Sequence, residues 1–182
     1  MINHYWDSDI FGSENWFLYI DMYRKIFEVT PAGGHIVEIG AFLGRSTSFL
    51  AVEAQHKKMR VDVIDTWLGS AEHQNMEDIK NGCLFEKFLK NLEPVINNIN
   101  VIRAESLRAV RMYDDASLDA VFIDGDHSYE AVKSDISEWR KKVKSGGILA
   151  GDDYLAFAGV KRAVDELIPN RLVTERYWHT IV

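Results

Sequence analysis

Cysteine is almost missing from this chain. Cys83 stands alone among 182 residues, which excludes a disulfide framework and a thiolate zinc site, and it reads as a small apolar residue on a helix. Proline is nearly as scarce: Pro31, Pro94 and Pro169 each stand where one element should stop. No stretch approaches the ~18 consecutive apolar residues of a membrane span. The N-terminal "MINHYWDSDIFG" has neither the basic nor the long apolar part of a secretory signal. The expected compartment is the cytoplasm, with no membrane partner. Positive charge is also in deficit, with 21 Lys and Arg against 28 Asp and Glu, a net charge of −7. That balance argues against broad attraction to nucleic acid or anionic lipid.

What is present is an ordinary globular composition, 47% apolar and 27% charged. A chain of this length is expected to form one domain, residues 1–182, without repeats or Pro/Ser-rich linkers. In "NWFLYIDMYRKIFEV", Phe17, Ile20, Tyr23, Ile26 and Phe27 recur at helical spacing. Residues 1–30 are therefore expected to form a helical cap or lid. Beyond it, "HIVEIG", "RVDVID", "NVIRA", "DAVFID" and "GGILAG" read as short buried strands, and amphipathic helical segments separate them. A strand-rich tail, "RLVTERYWHTIV", closes the chain. Strands alternating with helices predict an α/β, doubly wound, largely parallel sheet with helices on both faces.

In such sheets ligands bind beyond the carboxyl ends of the strands, where strand order switches. Those ends carry Glu38 with Gly40, Asp65, Glu105, Asp124 to His127, and Asp152 with Asp153. Gathering carboxylates on one rim is unfavourable unless a ligand offsets their repulsion.

The first strand–helix turn, "VEIGAFLGRSTSFLA", spaces its glycines as E-x-G-x-x-x-G. A dinucleotide site would read G-x-G-x-x-G and would not place a glutamate toward a pyrophosphate. Glu38 suits an ammonium group, and the helix N-terminus with Arg45 and Ser46 suits a carboxylate. The amino-acid end of S-adenosylmethionine has that pair of charges. Asp65, ending the second strand, fits the two hydroxyls of a ribose, and equally fits a loop cap. Trp67 suits an adenine cover or plain core. Glu105 and Ser106 follow the third strand, where an adenine edge would arrive; Ser106 also suits an N-cap.

"VFIDGDHSYE" begins as a buried strand and ends in two carboxylates and an imidazole. The fourth and fifth strands should be adjacent, so Asp124, Asp152 and Asp153 are expected to converge. Three carboxylates are tolerable around a hard divalent cation such as Mg²⁺. His127, three residues past Asp124, is the candidate base for a substrate hydroxyl. Asp126 reads as a turn residue. His4, His35, His56, His73 and His179 default to structural or surface roles.

Together these residues resemble the class I S-adenosylmethionine-dependent methyltransferases, and more narrowly the methyltransferase domain 24 group with its macrocin-type sugar O-methyltransferases. The resemblance rests on "VEIGAFLGRST", "VIDTWLGS", "VFIDGDHSYEAVKSDISEWRKKVKSGGILAGDDY" and "GVKRAVDEL". It implies a Rossmann-like seven-stranded sheet whose last strand is antiparallel. It also implies cofactor contacts at Glu38, Gly40, Asp65 and the region of Glu105, to which the neighbouring Ala41, Thr66 and Asp124 belong. By the pattern of metal-dependent O-methyltransferases, Asp124, Asp152 and Asp153 would hold Mg²⁺ and His127 would be the base. The expected acceptor is a small molecule or sugar, with a homodimer as a possible assembly. The aromatic N-terminal stretch with Tyr5, Trp6, Phe11, Trp16 and Phe17 is a candidate lid, although Trp16 and Phe17 fit a helix packed on the sheet better. Two other readings use the same cofactor: a metal-independent methyltransferase acting on nitrogen or a small acid, and a non-catalytic binding module. A nicotinamide oxidoreductase lacks its glycine fingerprint here.

Overall fold

The computed structural model describes residues 4–13 and 15–182. Residues 1–3 and 14 of the expected cap lie outside this description. In chain order the elements are α1 (Ile20–Val29), β1 (His35–Ile39), α2 (Arg45–Lys57), β2 (Arg60–Asp65), α3 (Glu77–Lys80), α4 (Leu84–Leu92) and β3 (Asn100–Arg103). There follow α5 (Ser106–Ala109), β4 (Leu118–Ile123), α6 (Tyr129–Lys142), β5 (Val143–Gly151), α7 (Ala158–Leu167), β6 (Leu172–Val173) and β7 (Trp178–Ile181). The seven strands form one sheet in the order β3-β2-β1-β4-β5-β7-β6. Strands β1 to β5 pair in parallel, and β7 runs antiparallel to both β5 and β6. The fold is thus the doubly wound, mostly parallel arrangement expected, with the tail resolved into a two-strand hairpin.

Burial on both faces explains why the strands read as continuous apolar runs. Period-two alternation sends Ile36, Val61, Val63, Phe122 and Ile148 into one layer, with Tyr23 and Ile26 of α1, Leu50 of α2 and Phe88 of α4. Val37, Ile64, Val121 and Leu149 enter the other layer, with Ile136 and Trp139 of α6 and Val164 of α7. Each fully buried side chain of this size contributes about 1.5–3 kcal/mol relative to exposure. Among the described residues no helix is long and apolar enough to cross a membrane.

One expected element is shorter than its pattern. The helix predicted from residue 15 begins at Ile20. Before it, Trp16 and Leu18 are exposed while Phe17 and Tyr19 are buried, which is the period of an extended segment. Phe17 satisfies both periodicities, so the sequence pattern did not separate them.

Candidate cofactor and active site

The turns that follow β1 to β5 enclose a cavity of about 940 Å³, placed at the switch between β1 and β4. That volume lies within the ~300–1,000 Å³ of small-molecule sites. Phe11, Gly12, Trp16, Phe17 and Tyr19 of the N-terminal segment also line it, so the segment serves as a wall of the site.

The turn after β1 owes its shape to two glycines. Gly40 takes φ +86°, and a Cβ there would lie 1.8 Å from the Asp124 carbonyl oxygen. Only glycine allows β1 and β4 to end so close together. Gly44, at φ +87°, starts α2, and a Cβ there would meet Leu92 at 2.8 Å.

Glu38 does not line the cavity, which corrects the expected direct contact with a ligand ammonium. It is fully buried. Its carboxylate accepts from Tyr23 Oη at 2.7 Å, Ser46 Oγ at 2.7 Å and Thr47 Oγ1 at 2.5 Å. Burial pushes it up to about 7, opposed by these three donors. Glu38 therefore braces Ser46, which does face the cavity. Arg45 lines the cavity, and its guanidinium also donates to the carbonyls of Trp6 at 2.9 Å and Gly12 at 2.8 Å, so it fastens the N-terminal segment as well.

Asp65 faces the cavity, yet most of its acceptor capacity is used. One oxygen accepts from the Ala41 and Phe42 amides at 2.8 and 3.0 Å, and the other from the Trp67 amide at 2.7 Å. A carboxylate has about four acceptor sites, so one site remains where two ribose hydroxyls were expected. Ala41 and Thr66 line the cavity beside it. Trp67 does not. It is 2% exposed, donates to the Phe42 carbonyl and packs on Phe85 and Phe88 at 4.6 Å, which makes it core and no adenine cover. Glu105 and Ser106 both line the cavity, and Ser106 donates to Asp135 at 2.5 Å while accepting from Trp139 Nε1 at 2.7 Å.

At the other end, Asp124, Asp126, His127, Asp152 and Asp153 share one wall. Ligand atoms of Asp124, His127 and Asp153 lie within 4.8 Å of one another, a set able to hold a metal ion. Its third member is His127; the expected Asp152 is outside it. Asp153 occupies a left-handed turn position, φ +63°, and its carboxylate meets His127 Nε2 at 2.9 Å. Asp152 instead keeps a buried Oδ1 with no partner among the described residues. Asp124 accepts from Tyr19 Oη at 2.7 Å. Burial first, then neighbouring carboxylates, raise Asp124 to about 6 and Asp152 to about 8. Asp126 accepts from the Ser128 amide at 2.7 Å and is the turn residue expected, ahead of the Ser128 cap on α6.

His127 is held between two carboxylates, with Glu72 at Nδ1 and Asp153 at Nε2, and its ring stacks on Phe157 at 4.1 Å. Burial alone would lower it; the Asp153 hydrogen bond and the surrounding negative charge raise it to about 9. In this state the imidazole carries a proton, so it is not yet the neutral base expected from sequence.

Several site residues had no legible signal. Glu72 comes from a short 3-10 turn, Ala71–His73, in a stretch with no apolar period. His73, expected to be structural or superficial, lines the cavity, stacks on Trp16 at 5.5 Å and meets Phe42 at a tilt at the same distance. Tyr19 sits in the misread N-terminal segment. Asp135 hides on an amphipathic helix as one acid among many.

The family model described as a methyltransferase domain matches residues 37–154. The chain belongs to this family, and its fold is that of the class I S-adenosylmethionine-dependent methyltransferases. An uncharacterized protein of Acanthamoeba polyphaga mimivirus is 32% identical over 129 residues, covering 65% of this chain and 50% of its own length. The chain thus spans half the length of that relative. The O-methyltransferase NovP superposes with a TM-score of 0.71 at 19% identity, covering 90% of this chain and 80% of its own. CalS11, a TDP-rhamnose 3'-O-methyltransferase of calicheamicin biosynthesis, gives 0.54 at 17% identity over 90% and 77%. A geranyl diphosphate C-methyltransferase from Streptomyces coelicolor, solved with Mg²⁺ and S-adenosyl-L-homocysteine, gives 0.55 at 11% over 81% and 56%. Two of these act on oxygen and one on carbon, so the shared fold does not fix the acceptor atom.

Proposed function

We propose that the chain transfers the methyl group of S-adenosylmethionine to a hydroxyl oxygen of a small molecule or sugar, with a divalent cation such as Mg²⁺ at the acceptor. The observation that carries this reading is the group formed by Asp124, His127 and Asp153 at one end of a cavity whose other end presents Asp65 and Ser106. The donor set fits a cation: a buried Asp152 oxygen lacks a partner among the described residues, and two carboxylates are raised by burial and mutual repulsion. Asp124 and Asp153 would hold the ion, with Asp152 beside them. When bound, it would orient the acceptor hydroxyl and favour its ionised form.

The chain's own residues do the rest. Asp65 and Ser106 position the nucleoside, and Ser46, held by Glu38, meets the amino-acid end. Phe157, Trp16 and Phe42 keep water from the transfer path. His127 Nε2 takes the acceptor proton once the negative charge around it is offset. The oxygen forms its bond to the methyl carbon as the carbon–sulfur bond breaks, leaving S-adenosylhomocysteine and a protonated imidazole. The sulfonium supplies the reactivity, so alignment and water exclusion are the protein's contribution.

One observation favours a second, metal-independent reading with a nitrogen or small-acid acceptor. Both His127 nitrogens already meet carboxylates, so part of the cluster is charge-compensated internally. A panel of sugars, polyols, catechols, amines and small acids, assayed with the cofactor for a gain of one CH₂, separates the two. Methylation of a hydroxyl that EDTA abolishes and Mg²⁺ restores is expected. Full turnover in EDTA would transfer the conclusion to the second reading.

A further inference from the structure

Asp135 is a buried acid with too few donors, and it faces the cavity. It is 6% exposed, lies on α6 and lines the cavity with Ala131, one turn earlier on its helical face, and with the adjacent Ser134. Among the described residues the one donor to its carboxylate is Ser106 Oγ, at 2.5 Å, on Oδ1. That serine is fixed in turn by Trp139 Nε1 at 2.7 Å. A carboxylate offers about four acceptor sites, and a buried polar group without partners is costly. Trp139, Ser106 and Asp135 therefore form a relay that orients an open acceptor, Oδ2, at the cavity wall. Burial raises this acid to about 6, opposed by the Ser106 bond, as expected of a group that lacks donors. Among the described residues no basic side chain hydrogen-bonds this carboxylate, whose side-chain partner is the neutral Ser106 hydroxyl, so the position suits a neutral N–H donor.

The location selects the donor. Ser106 follows β3, at one end of the row of strands below the cavity, and meets Asp135 there at 2.5 Å, whereas Asp124, His127 and Asp153 follow β4 and β5 on the other side of β1. On the reading above, the base of the cofactor's nucleoside reaches that end. Glu105 lines the same end but is exposed, and water supplies its donors. We propose that Asp135 reads the base of the cofactor, accepting a hydrogen bond from the exocyclic amine of adenine, with Ser106 as its positioning residue. The inference rests on the cofactor assignment and adds to it a residue that discriminates amino from oxo purines.

The test uses the whole chain and two ligands, S-adenosylhomocysteine and its deaminated counterpart, S-inosylhomocysteine, titrated by calorimetry. Deamination replaces the amine by a carbonyl oxygen that faces the carboxylate, so the wild type should bind the inosyl ligand about 10- to 100-fold more weakly, the scale of losing a hydrogen bond to a charged group. Asp135→Asn offers an amide donor to the new carbonyl and should narrow that ratio to about threefold or less. Ser106→Ala should narrow it partly, by freeing the carboxylate to turn. Equal binding of both ligands by the wild type overturns the proposal without recourse to any variant. So does an unchanged ratio in a folded Asp135→Asn protein. If the wild type binds neither ligand, the cofactor assignment falls with it, and that outcome is distinct from equal binding of both.

Discussion

The acids that end β1 and β2 and those that follow β4 and β5 are treated in opposite ways. Below the β1 turn, Glu38 has three hydroxyl donors, and Asp65 has three backbone amides. At the ends of β4 and β5, Asp152 keeps a buried oxygen with no partner among the described residues, and Asp124 has a single side-chain donor in Tyr19. Glu38 is complete without a ligand, so its work is to hold a turn in shape, while Asp65 keeps one acceptor site for the cavity. The second group is short of donors, which is the condition of a site that something else must complete. Strand-end position places an acid at the site. Donor count separates scaffold from binding surface.

The largest effect that can break this comparison comes from His127, the single imidazole in the electron-rich group. His127→Ala should lower kcat about 10²- to 10⁴-fold, the usual cost of removing a general base. Cofactor affinity should stay near wild type, while the thermal midpoint should fall, because the imidazolium that bridges Glu72 and Asp153 is lost. The residual rate should climb with pH as hydroxide takes over the proton. A variant with wild-type kcat at neutral pH would make the imidazole a bystander, and the deficit at this end would then belong to the carboxylates alone.

The sheet was legible because five parallel strands appear as short apolar runs followed by acids, with amphipathic helices between them. The site was legible as a place for the same reason. What each acid touches was not, since Glu38 and Asp65 end neighbouring strands in the same way, yet one turns under the turn and the other into the cavity. Arg45 looked free because its partners are carbonyl groups of Trp6 and Gly12, and backbone acceptors leave no mark in a sequence. Asp153 and His127 were expected to work apart as ligand and base, and only the left-handed turn at Asp153 brings them into contact. Glu72 reaches His127 across 55 positions, from a loop without periodicity.

A smaller effect sharpens the scaffold side. Glu38 is raised to about 7 by burial, against an ordinary value of 4.5. The folded chain then holds the proton more tightly than the unfolded chain across that window. Stability must fall as pH rises from about 4.5 to about 7, by an amount on the order of 3 kcal/mol if the whole shift is expressed. Urea unfolding at pH 5 and pH 8 measures the fall, and Glu38→Gln, which cannot ionise, should remove most of Glu38's share. A wild type that loses no more than the variant would show that the three hydroxyls stabilise the anion fully. Glu38→Ala should cost about 3 kcal/mol at either pH by stranding those hydroxyls.

The smallest effect concerns Arg45, where two roles predict different observables. If its guanidinium held the carboxylate of the cofactor, Arg45→Met should weaken cofactor binding by about 10-fold or more, since such pairs are strong. The structure gives both terminal nitrogens to the carbonyls of Trp6 and Gly12 instead, and sets the guanidinium 5.6 Å from the Phe11 ring. Losing those contacts should free the N-terminal segment locally by about 1 kcal/mol, the scale of a modest net hydrogen bond. Amide exchange between Phe11 and Tyr19 should then quicken about fivefold, since local opening follows local stability. Cofactor affinity should change by less than about threefold, because the base and ribose contacts remain. The reverse pattern, with exchange unchanged and affinity sharply reduced, would return Arg45 to the ligand.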